Sequence, residues 1–453
     1  MAADFGTTGV GAFSNVLKNF YLGPIQDQLN EETLVCDMFE KASVDWNGRQ
    51  VIIPVHLSRN ANVGYVAEGQ PLPGPADGTL GPVDASQQGY ANLVVSAAFL
   101  YGRFQITGPA MSAAGKGGAN SFVGWVDGEM NRLVADIKNA SNRAAISGGS
   151  TIGFITHDNL LAAAVATDVT FDGDVAKAAL LVAAAPGADQ VDIVRMDTYA
   201  TIGAAEVTGV GLGTLELTAG VVMAAAFPRD PANLIIPCAL VLNAAGALTL
   251  GTASEPSGIY ANLADPTHFG VGRVTVAAPG AANVGAALQC GNGAQVGTVS
   301  NMLSTNVADD TRTGIALELI QSAMDRQTLA SDTSPDVILM SPLQRTRLAA
   351  LFQANVQMDA NRSAGNADGG FTGFSYAGIP VKTSRHCDNG LLILLDTKTW
   401  KMTELESGKF ADADGNVLSR VGIVDAWEGF YKWYYEIVCL RPNANSIITG
   451  LTL

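Results

Sequence analysis

Histidine and cysteine are the side chains in this sequence best suited to moving protons, attacking carbonyls or holding metals, and they are few and scattered. The 453 residues contain His56, His157, His268 and His386, and Cys36, Cys238, Cys290, Cys387 and Cys439. No His-Glu-x-x-His or Gly-x-Ser-x-Gly pattern is present. No Cys-x-x-Cys pair is present either, which argues against a zinc ribbon or a thioredoxin-type site. His386 and Cys387 are neighbours in sequence, but adjacency alone does not bring a base to a nucleophile, and a structural or surface role is favoured for both. Scattered single cysteines read as buried thiols of a reducing compartment.

Three further segments carry the right residue types at the wrong spacing. Gly108 to Gly117 ends in Gly-Lys-Gly, but no Ser or Thr follows Lys116 to hold magnesium, so it reads as a flexible lead into the next helix. Gly291-Asn-Gly-Ala-Gln-Val-Gly297 resembles a dinucleotide turn only loosely, and no strand–helix–strand unit follows it. Asp412-Ala-Asp-Gly-Asn416 begins like a calcium loop, yet its glycine comes too early and the terminal Glu is absent. A tight hairpin turn is the reading there, with an exposed, weak divalent-ion site left open. No catalytic, cofactor-binding or metal-ligating residue is therefore assigned, and the chain is read as not an enzyme. A hydrolase with an unrecognised site is the weakest alternative, which measurable turnover would support.

Composition points toward association instead. Hydrophobic residues make up 48% of the chain and charged residues only 15%, a balance that leaves a monomer exposing large apolar areas. Oligomerisation is the simplest consequence. The formal net charge of −16 argues against phosphate-backbone binding as the main task, though not against an inner surface that merely encloses DNA. No apolar run reaches roughly 18 residues, so no membrane span is expected, and Leu217 to Phe227 is too short. The N-terminus has no basic region followed by an apolar core, so no secretory signal is read.

The elements follow from local pattern. Residues 1–46 have few apolar clusters and read as an extended arm. Asn47-Gly48 is a turn, and Val51 to Leu57 a strand with Pro54 at an edge position. Gly64 to Gly89 is polar and Pro/Gly-rich, and Asn92 to Ile106 returns as a β-rich run, so residues 47–106 read as a long projecting hairpin. From 121 to 146, Phe122, Val126, Met130, Leu133, Val134, Ile137 and Ala144 share one helical stripe. Ser121 is the expected N-cap and Gly148-Gly149 the stop, giving a helix roughly 40 Å long. Residues 155–250 are rich in Ala, Val, Gly and Thr, contain one Lys, and alternate at Asp189–Arg195 and Gly213–Thr218. They read as a small β domain of short strands, with an Ala-rich irregular loop as the alternative. Ile315, Leu319, Ile320, Ala323 and Met324 mark a helix between Thr311 and Leu329, and strands are expected at Leu391–Leu395, Trp400–Leu405 and Trp433–Leu440.

The segment from Pro335 to Val381 joins several of these signals. Val337 to Met340 is a short apolar run suited to a buried strand; Ser341 can cap a helix that opens with Pro342, and Leu343, Leu348, Leu351 and Phe352 supply its apolar side. A polar Gly-rich loop and Tyr376-Ala-Gly-Ile-Pro-Val381 follow. This order resembles the A-domain of the major capsid proteins of tailed bacteriophages, whose architecture is the Johnson, or Hong Kong 97-like, fold. Tyr21-Leu-Gly-Pro-Ile-Gln-Asp-Gln-Leu-Asn30 with Phe39-Glu-Lys41 is similar to their N-terminal arm. Gly258-Ile-Tyr-Ala-Asn-Leu263 with Gly270-Val-Gly-Arg273 is similar to their link back to the core, and Arg441-Pro-Asn-Ala-Asn-Ser-Ile-Ile448 to their closing strand.

The resemblance implies an α+β fold with an N-arm at 1–46, an E-loop hairpin at 47–106 and a P-domain with its spine helix at 107–154. It further implies a β-rich insertion at 155–250, a return segment at 251–310, and the A-domain with the remaining P-domain strands at 311–453. It implies a major capsid protein that assembles as pentamers and hexamers into an icosahedral shell around double-stranded DNA. Such a subunit is located in the virion and assembled in the host cytoplasm. The implied partners are copies of itself, a portal, a separate scaffolding protein and a decoration protein, with no membrane and no cofactor. Arm-like sequence begins within about the first 20 residues, so scaffolding is expected to be a separate protein and Met1 or Ala2 to start the mature chain. An encapsulin-like compartment enclosing enzymes is the alternative within the same fold. One branch of the family welds its shell through a Lys on the E-loop, and residues 48–115 contain no lysine, so this weld is not expected here.

Overall fold

In the computed structural model of the chain, the residues described are 34–42, 46, 48–58, 65, 67–69, 88–116, 119–156, 166–184, 189–196, 201–211, 214–219, 237–244, 246, 255–274, 288–289, 302–304, 314–353, 375–411, 418–421 and 424–452. Residues 1–33 of the arm expected at 1–46, the hairpin tip at 70–87, His157, the segment 290–297 and the loop 412–416 lie outside them.

The first described segment is anchored. Val35, Cys36 and Phe39 are buried, Phe39 stacks on Trp400 at 5.1 Å, and the Val35 N–H donates to Asn142 Oδ1 at 2.8 Å. Strand β1 (Glu40–Ala42) then adds in parallel to a sheet. Over 34–42, three apolar side chains and one parallel strand thus find partners far along the chain.

Strands β2 (Gln50–Ser58) and β3 (Gly89–Ser96) pair antiparallel, with Pro54 opposite Asn92 in a two-stranded sheet where each strand is an edge. The run expected over Asn92 to Ile106 divides at Ala97: β4 (Ala98–Thr107) leaves the hairpin to pair elsewhere. Gly108–Lys116, expected as a flexible lead, is helix α1. Its Ala and Met residues are strong helix formers, and Gly108 N–H is tied to Asp425 O at 2.8 Å. Helix α2 (Ala119–Ser147) follows and ends at Gly148-Gly149 as expected. It starts two residues earlier than expected, so Ser121 lies inside its first turn and is not the cap. Ile137 and Ala144 of its stripe are buried and Met130, Leu133 and Val134 half-buried; the side chains of Phe122 and Val126 lie outside the described ones.

A closed barrel comes next. Its strands are β5 (Thr151–Thr156), β6 (Ala166–Gly173), β7 (Val191–Arg195), β8 (Thr201–Val210), β9 (Thr214–Ala219) and β10 (Cys238–Leu242), in the order β10-β5-β6-β9-β8-β7, with helix α3 (Val175–Ala184) after β6. It opens at Thr151, four residues before the expected start of the insertion. Ile152, Phe171, Leu181, Ile193, Leu215, Leu217 and Leu240 fill its interior. Phe154, Val194, Ala239 and Val241 belong instead to the main core, where Phe154 meets Tyr260 edge-on at 5.6 Å. β10 is apolar throughout because it is buried on both sides.

Helix α4 (Ile259–Ala264) is wholly buried and packs on α2 and β5. Short strands β11 (Thr267–His268), β12 (Val271–Val274), β13 (Leu288–Gln289) and β14 (Met302–Ser304) lead to helix α5 (Leu317–Ser331). Strand β15 (Val337–Met340) and helix α6 (Pro342–Gln353) form as expected, and Ser341 Oγ accepts the Gln344 N–H at 3.3 Å. Leu348 is buried and Phe352 packs on the core, but Leu343 and Leu351 are exposed. Gln344 takes the inner position instead, donating to the carbonyls of Asn389 at 2.5 Å and Thr452 at 2.7 Å.

Strands β16 (Ser375–Tyr376) and β17 (Ile379–Thr383) make a two-residue hairpin with positive φ at Ala377 (50°) and Gly378 (83°), the signature of a type I′ turn. Next come β18 (Leu392–Leu395), β19 (Trp400–Phe410), β20 (Ser419–Arg420), β21 (Ala426–Cys439) and β22 (Ser446–Thr449). β19 and β21 run longer than expected because each pairs with the other across two register shifts. Two sheets organise these strands: β1-β19-β21-β20, with β4 also on β21, and β14-β22-β18-β15-β17-β16. In the second, Ile338, Met340, Leu392 and Leu394 face α5 and α6, while Leu339, Ile393 and Leu395 face the main core. Burial on both faces is why Val337–Met340 and Leu392–Leu395 are unbroken apolar runs.

Candidate assembly surface

The β2–β3 hairpin alternates strictly. Val51, Leu93 and Val95 point into the main core, and Ile53, Val55 and Ala91 pack against it. Ile52, Pro54, His56, Tyr90, Asn92 and Val94 form the opposite face, which is exposed, Ile52 at 57% and Tyr90 at 66%. Ile52 sits opposite Val94, and His56 opposite Tyr90 with ring centroids 5.2 Å apart. A period of two normally turns polar side chains outward; here both faces are largely apolar, which marks a surface built to be covered.

A second patch lies where β4 meets β21. Phe99, Tyr101 (56% exposed) and Phe430 are exposed beside Tyr434. Tyr434 meets Phe99 edge-on at 4.9 Å and Tyr101 at 5.6 Å, and the two tyrosine hydroxyls share a hydrogen bond of 2.9 Å. That bond, with burial second, pushes the Tyr434 hydroxyl up to about 12. Charged groups rim the aromatics. Glu406 takes Lys409 and Lys432, each at 2.9 Å, and Arg103 lies 3.8 Å from Glu428. The two lysine hydrogen bonds hold the Glu406 carboxyl below its ordinary value. An aromatic centre inside a polar rim is the anatomy of a binding surface.

His268 is buried with Nε2 2.8 Å from Cys439 O, and His386 Nε2 lies 2.9 Å from Asn139 Oδ1 on α2. Cys36, Cys238, Cys387 and Cys439 are buried, and burial lifts the Cys36 thiol to about 11. Among the described residues, no group of three or more His, Cys, Asp or Glu side chains could hold a metal ion. Among them, too, no helix is long and apolar enough to cross a membrane.

Three buried polar centres escaped the sequence reading. Asn262 donates to the carbonyls of Ser257, Gly258 and Ile437 and accepts the Cys439 N–H at 2.9 Å. Glu436 accepts the Ser257 and Ile437 N–H groups at 2.5 and 3.2 Å, yet burial outweighs those bonds and raises its carboxyl to about 8. The third ties the barrel to α2. Arg143 bridges Asp174 at 3.2 Å and Glu255 at 2.7 Å, and Lys177 Nζ reaches Glu255 at 3.0 Å and the carbonyls of Ser147 and Gly149. Ser147 Oγ donates to Asp174 at 2.7 Å. Burial alone would raise Asp174, but the Ser147 hydroxyl, the Lys177 N–H and Arg143 together lower it. The only lysine between 155 and 250 was a signal for this centre, though nothing local said it points inward.

The same path is followed by a chain in the capsid asymmetric unit of cyanophage A-1(L), with a TM-score of 0.52, 10% identity, and coverage of 97% of this chain and 98% of that one. The chain has the fold of a phage capsid protein. A chain in the capsid of a native GTA particle aligns over 99% of this chain and 100% of its own at a TM-score of 0.47 and 8% identity. One from Mycobacterium phage Adephagia aligns over 99% of each chain at 0.42 and 10%. No family model matches the sequence, and no curated protein matches it either. The likeness to phage capsid proteins is thus carried by the fold rather than by shared residues.

Proposed function

We propose that this chain is the major capsid subunit of a tailed bacteriophage, assembling as pentamers and hexamers into an icosahedral shell around double-stranded DNA in the host cytoplasm. The observation that carries this reading is the capsid likeness, which runs over nearly the full length of both chains. The covered-in-waiting hairpin face and the rimmed aromatic patch support it, since a shell subunit needs several separate surfaces for several neighbours. On this reading the architecture is Hong Kong 97-like. Residues 1–46 are the N-arm, 47–106 the E-loop and 107–154 the P-domain with α2 as its spine. The barrel region at 155–250 is an insertion, 251–310 the return segment, and 311–453 the A-domain with the remaining P-domain strands. The subunit's work is geometric, not catalytic; a portal, a scaffolding protein and a decoration protein are its further partners. Sedimentation and negative-stain microscopy of the purified chain test this. Capsomers or closed shells are expected, and a monomer or dimer under every assembly condition overturns the proposal.

A further inference from the structure

Residues alternate between the two faces of a strand, so Phe99 and Tyr101 leave one face of β4. The register sets Tyr434 opposite Phe99 and Lys432 opposite Tyr101, which makes Tyr101 and Tyr434 diagonal neighbours on that face. Diagonal positions are within reach of each other when both carry aromatic side chains. Here the ring centroids are 5.6 Å apart at an interplanar angle of 71°, and the hydroxyls meet at 2.9 Å. Burial does not force this contact, because the hydrogen bond lies at the surface and Tyr101 is 56% exposed.

Two phenols in contact have a chemistry that one phenol lacks. A tyrosine that gives up one electron and its hydroxyl proton becomes a neutral phenoxyl radical, with spin on the oxygen and on the ring carbons ortho to it. Hydroxyls in hydrogen-bond contact hold the two ortho edges side by side. We propose that Tyr101 and Tyr434 form an oxidative cross-linking site, which a high-potential one-electron oxidant converts to an intrachain dityrosine joining β4 to β21. Two equivalents of oxidant each take one electron, and the two hydroxyl protons go to water. The radicals pair to make one carbon–carbon bond between ortho positions. The hydrogen on each of those carbons then passes through water to its oxygen, which restores both hydroxyls. The product is two hydrogens lighter than the starting chain. Lys432 lies 5.8 Å over the Tyr434 ring and is paired with Glu406 at 2.9 Å, but a neutral radical gives it no charge to repel. The bond staples residues 333 positions apart. β4 leads out of the β2–β3 hairpin and into α1, so the staple fixes the root of the hairpin to the main sheet. The inference concerns the unassembled chain and goes beyond the capsid reading without requiring it.

The test uses the purified, unassembled full chain and, as oxidant, a ruthenium(III) polypyridyl complex generated by light with persulfate as the final electron acceptor. Dityrosine is read by its fluorescence and located by mass spectrometry of linked peptides. A Tyr101–Tyr434 peptide pair two hydrogens lighter than the sum of its parts is expected, in a chain that still runs as a monomer in denaturant. Its yield should not change with protein concentration, because the partner is held in place within the chain. Tyr101→Phe and Tyr434→Phe keep both rings, and each should lower the yield about tenfold or more at unchanged thermal midpoint. Tyr90→Phe should leave the yield unchanged. Tyr65 and Tyr90 are more exposed than Tyr101, so a reaction governed by access alone would couple them between copies. Dityrosine found only in multimers, or a yield untouched by phenylalanine at 101 and at 434, overturns the proposal. So does oxidation of Tyr65 with no linked pair, because the oxidant has then reached the protein and the pair has not coupled. Failure to form shells bears only on the capsid reading, and failure to couple only on this one.

Discussion

Glu436 shows how a single buried group can set the pH response of the chain. It sits in β21 under the loop that carries Ser257, 5% exposed, and burial is the largest influence on its carboxyl. In the unfolded chain its carboxyl ionises near 4.5, and in the fold it holds its proton up to about 8. Between those values the folded state binds more protons than the unfolded state, so stability falls as pH rises from about 4.5 to about 8 and levels off above. The effect is on the order of a few kcal/mol. Glu436→Gln keeps an acceptor for Ser257 and Ile437 and removes the titration. Calorimetry of the unassembled chain should show the wild-type midpoint falling between pH 5 and pH 9, and the variant's midpoint falling clearly less. Parallel curves for the two proteins would show that Glu436 is not the titrating group.

At the scale of elements, one close crossing is where α2 ends against the turn into α4. Gly258 N–H donates to Gly148 O at 3.1 Å, and a Cβ on Gly258 would lie 2.5 Å from Ala144 O and 2.7 Å from both Gly148 N and Ile146 O. These are backbone atoms of two fixed segments, so neither can rotate aside. Gly258→Ala should therefore destabilise the chain by roughly 2–4 kcal/mol, read from the urea midpoint of the unassembled protein. Gly378 offers the contrast. Its φ is +83° but a Cβ there meets nothing within 4 Å, so Gly378→Ala should cost only about 1 kcal/mol of backbone strain. Equal losses at the two positions would mean that conformation, not the crossing, governs Gly258.

Over the whole molecule, the chemistry available for locking copies together is limited by composition. Residues 48–115 carry Arg49, Arg59 and Arg103 as their cations and no lysine. A guanidinium stays protonated and is a poor nucleophile, so no amide weld can start from residues 48–115. If shells form, apolar faces such as Ile52–Tyr90–Val94 and Phe99–Tyr101–Tyr434 must hold them, with strand pairing at free edges. Particles boiled in denaturant should release a single band near 46.8 kDa. A ladder of covalent multimers that survives reducing agent would require a different nucleophile and would refute this account. The barrel, by contrast, is firmly seated: its outer residues share the main core, and Arg143, Asp174, Lys177 and Glu255 clamp it to α2.

The sequence alone determined the elements whose signals are local. Ser341-Pro342 opens α6 because a hydroxyl cap and a proline at the first position act within one turn. Val337–Met340 and Leu392–Leu395 are strands because residues buried on both faces must be apolar without alternation. The stripe from Phe122 to Ala144 marked α2, and alternation at 189–195 and 213–218 marked two barrel strands. Tertiary structure decided whatever depends on partners far along the chain. β4 leaves the hairpin at Ala97 because β21, more than 300 residues later, supplies a longer partner. Gln344 displaces Leu343 and Leu351 from the inner side of α6 because carbonyls of Asn389 and Thr452 await its amide there. Lys177 turns inward because Glu255 and the end of α2 are placed to receive it, and that one choice exposes the apolar side of α3. Periodicity tells which residues share a face; only the distant groups that meet that face decide whether it is buried.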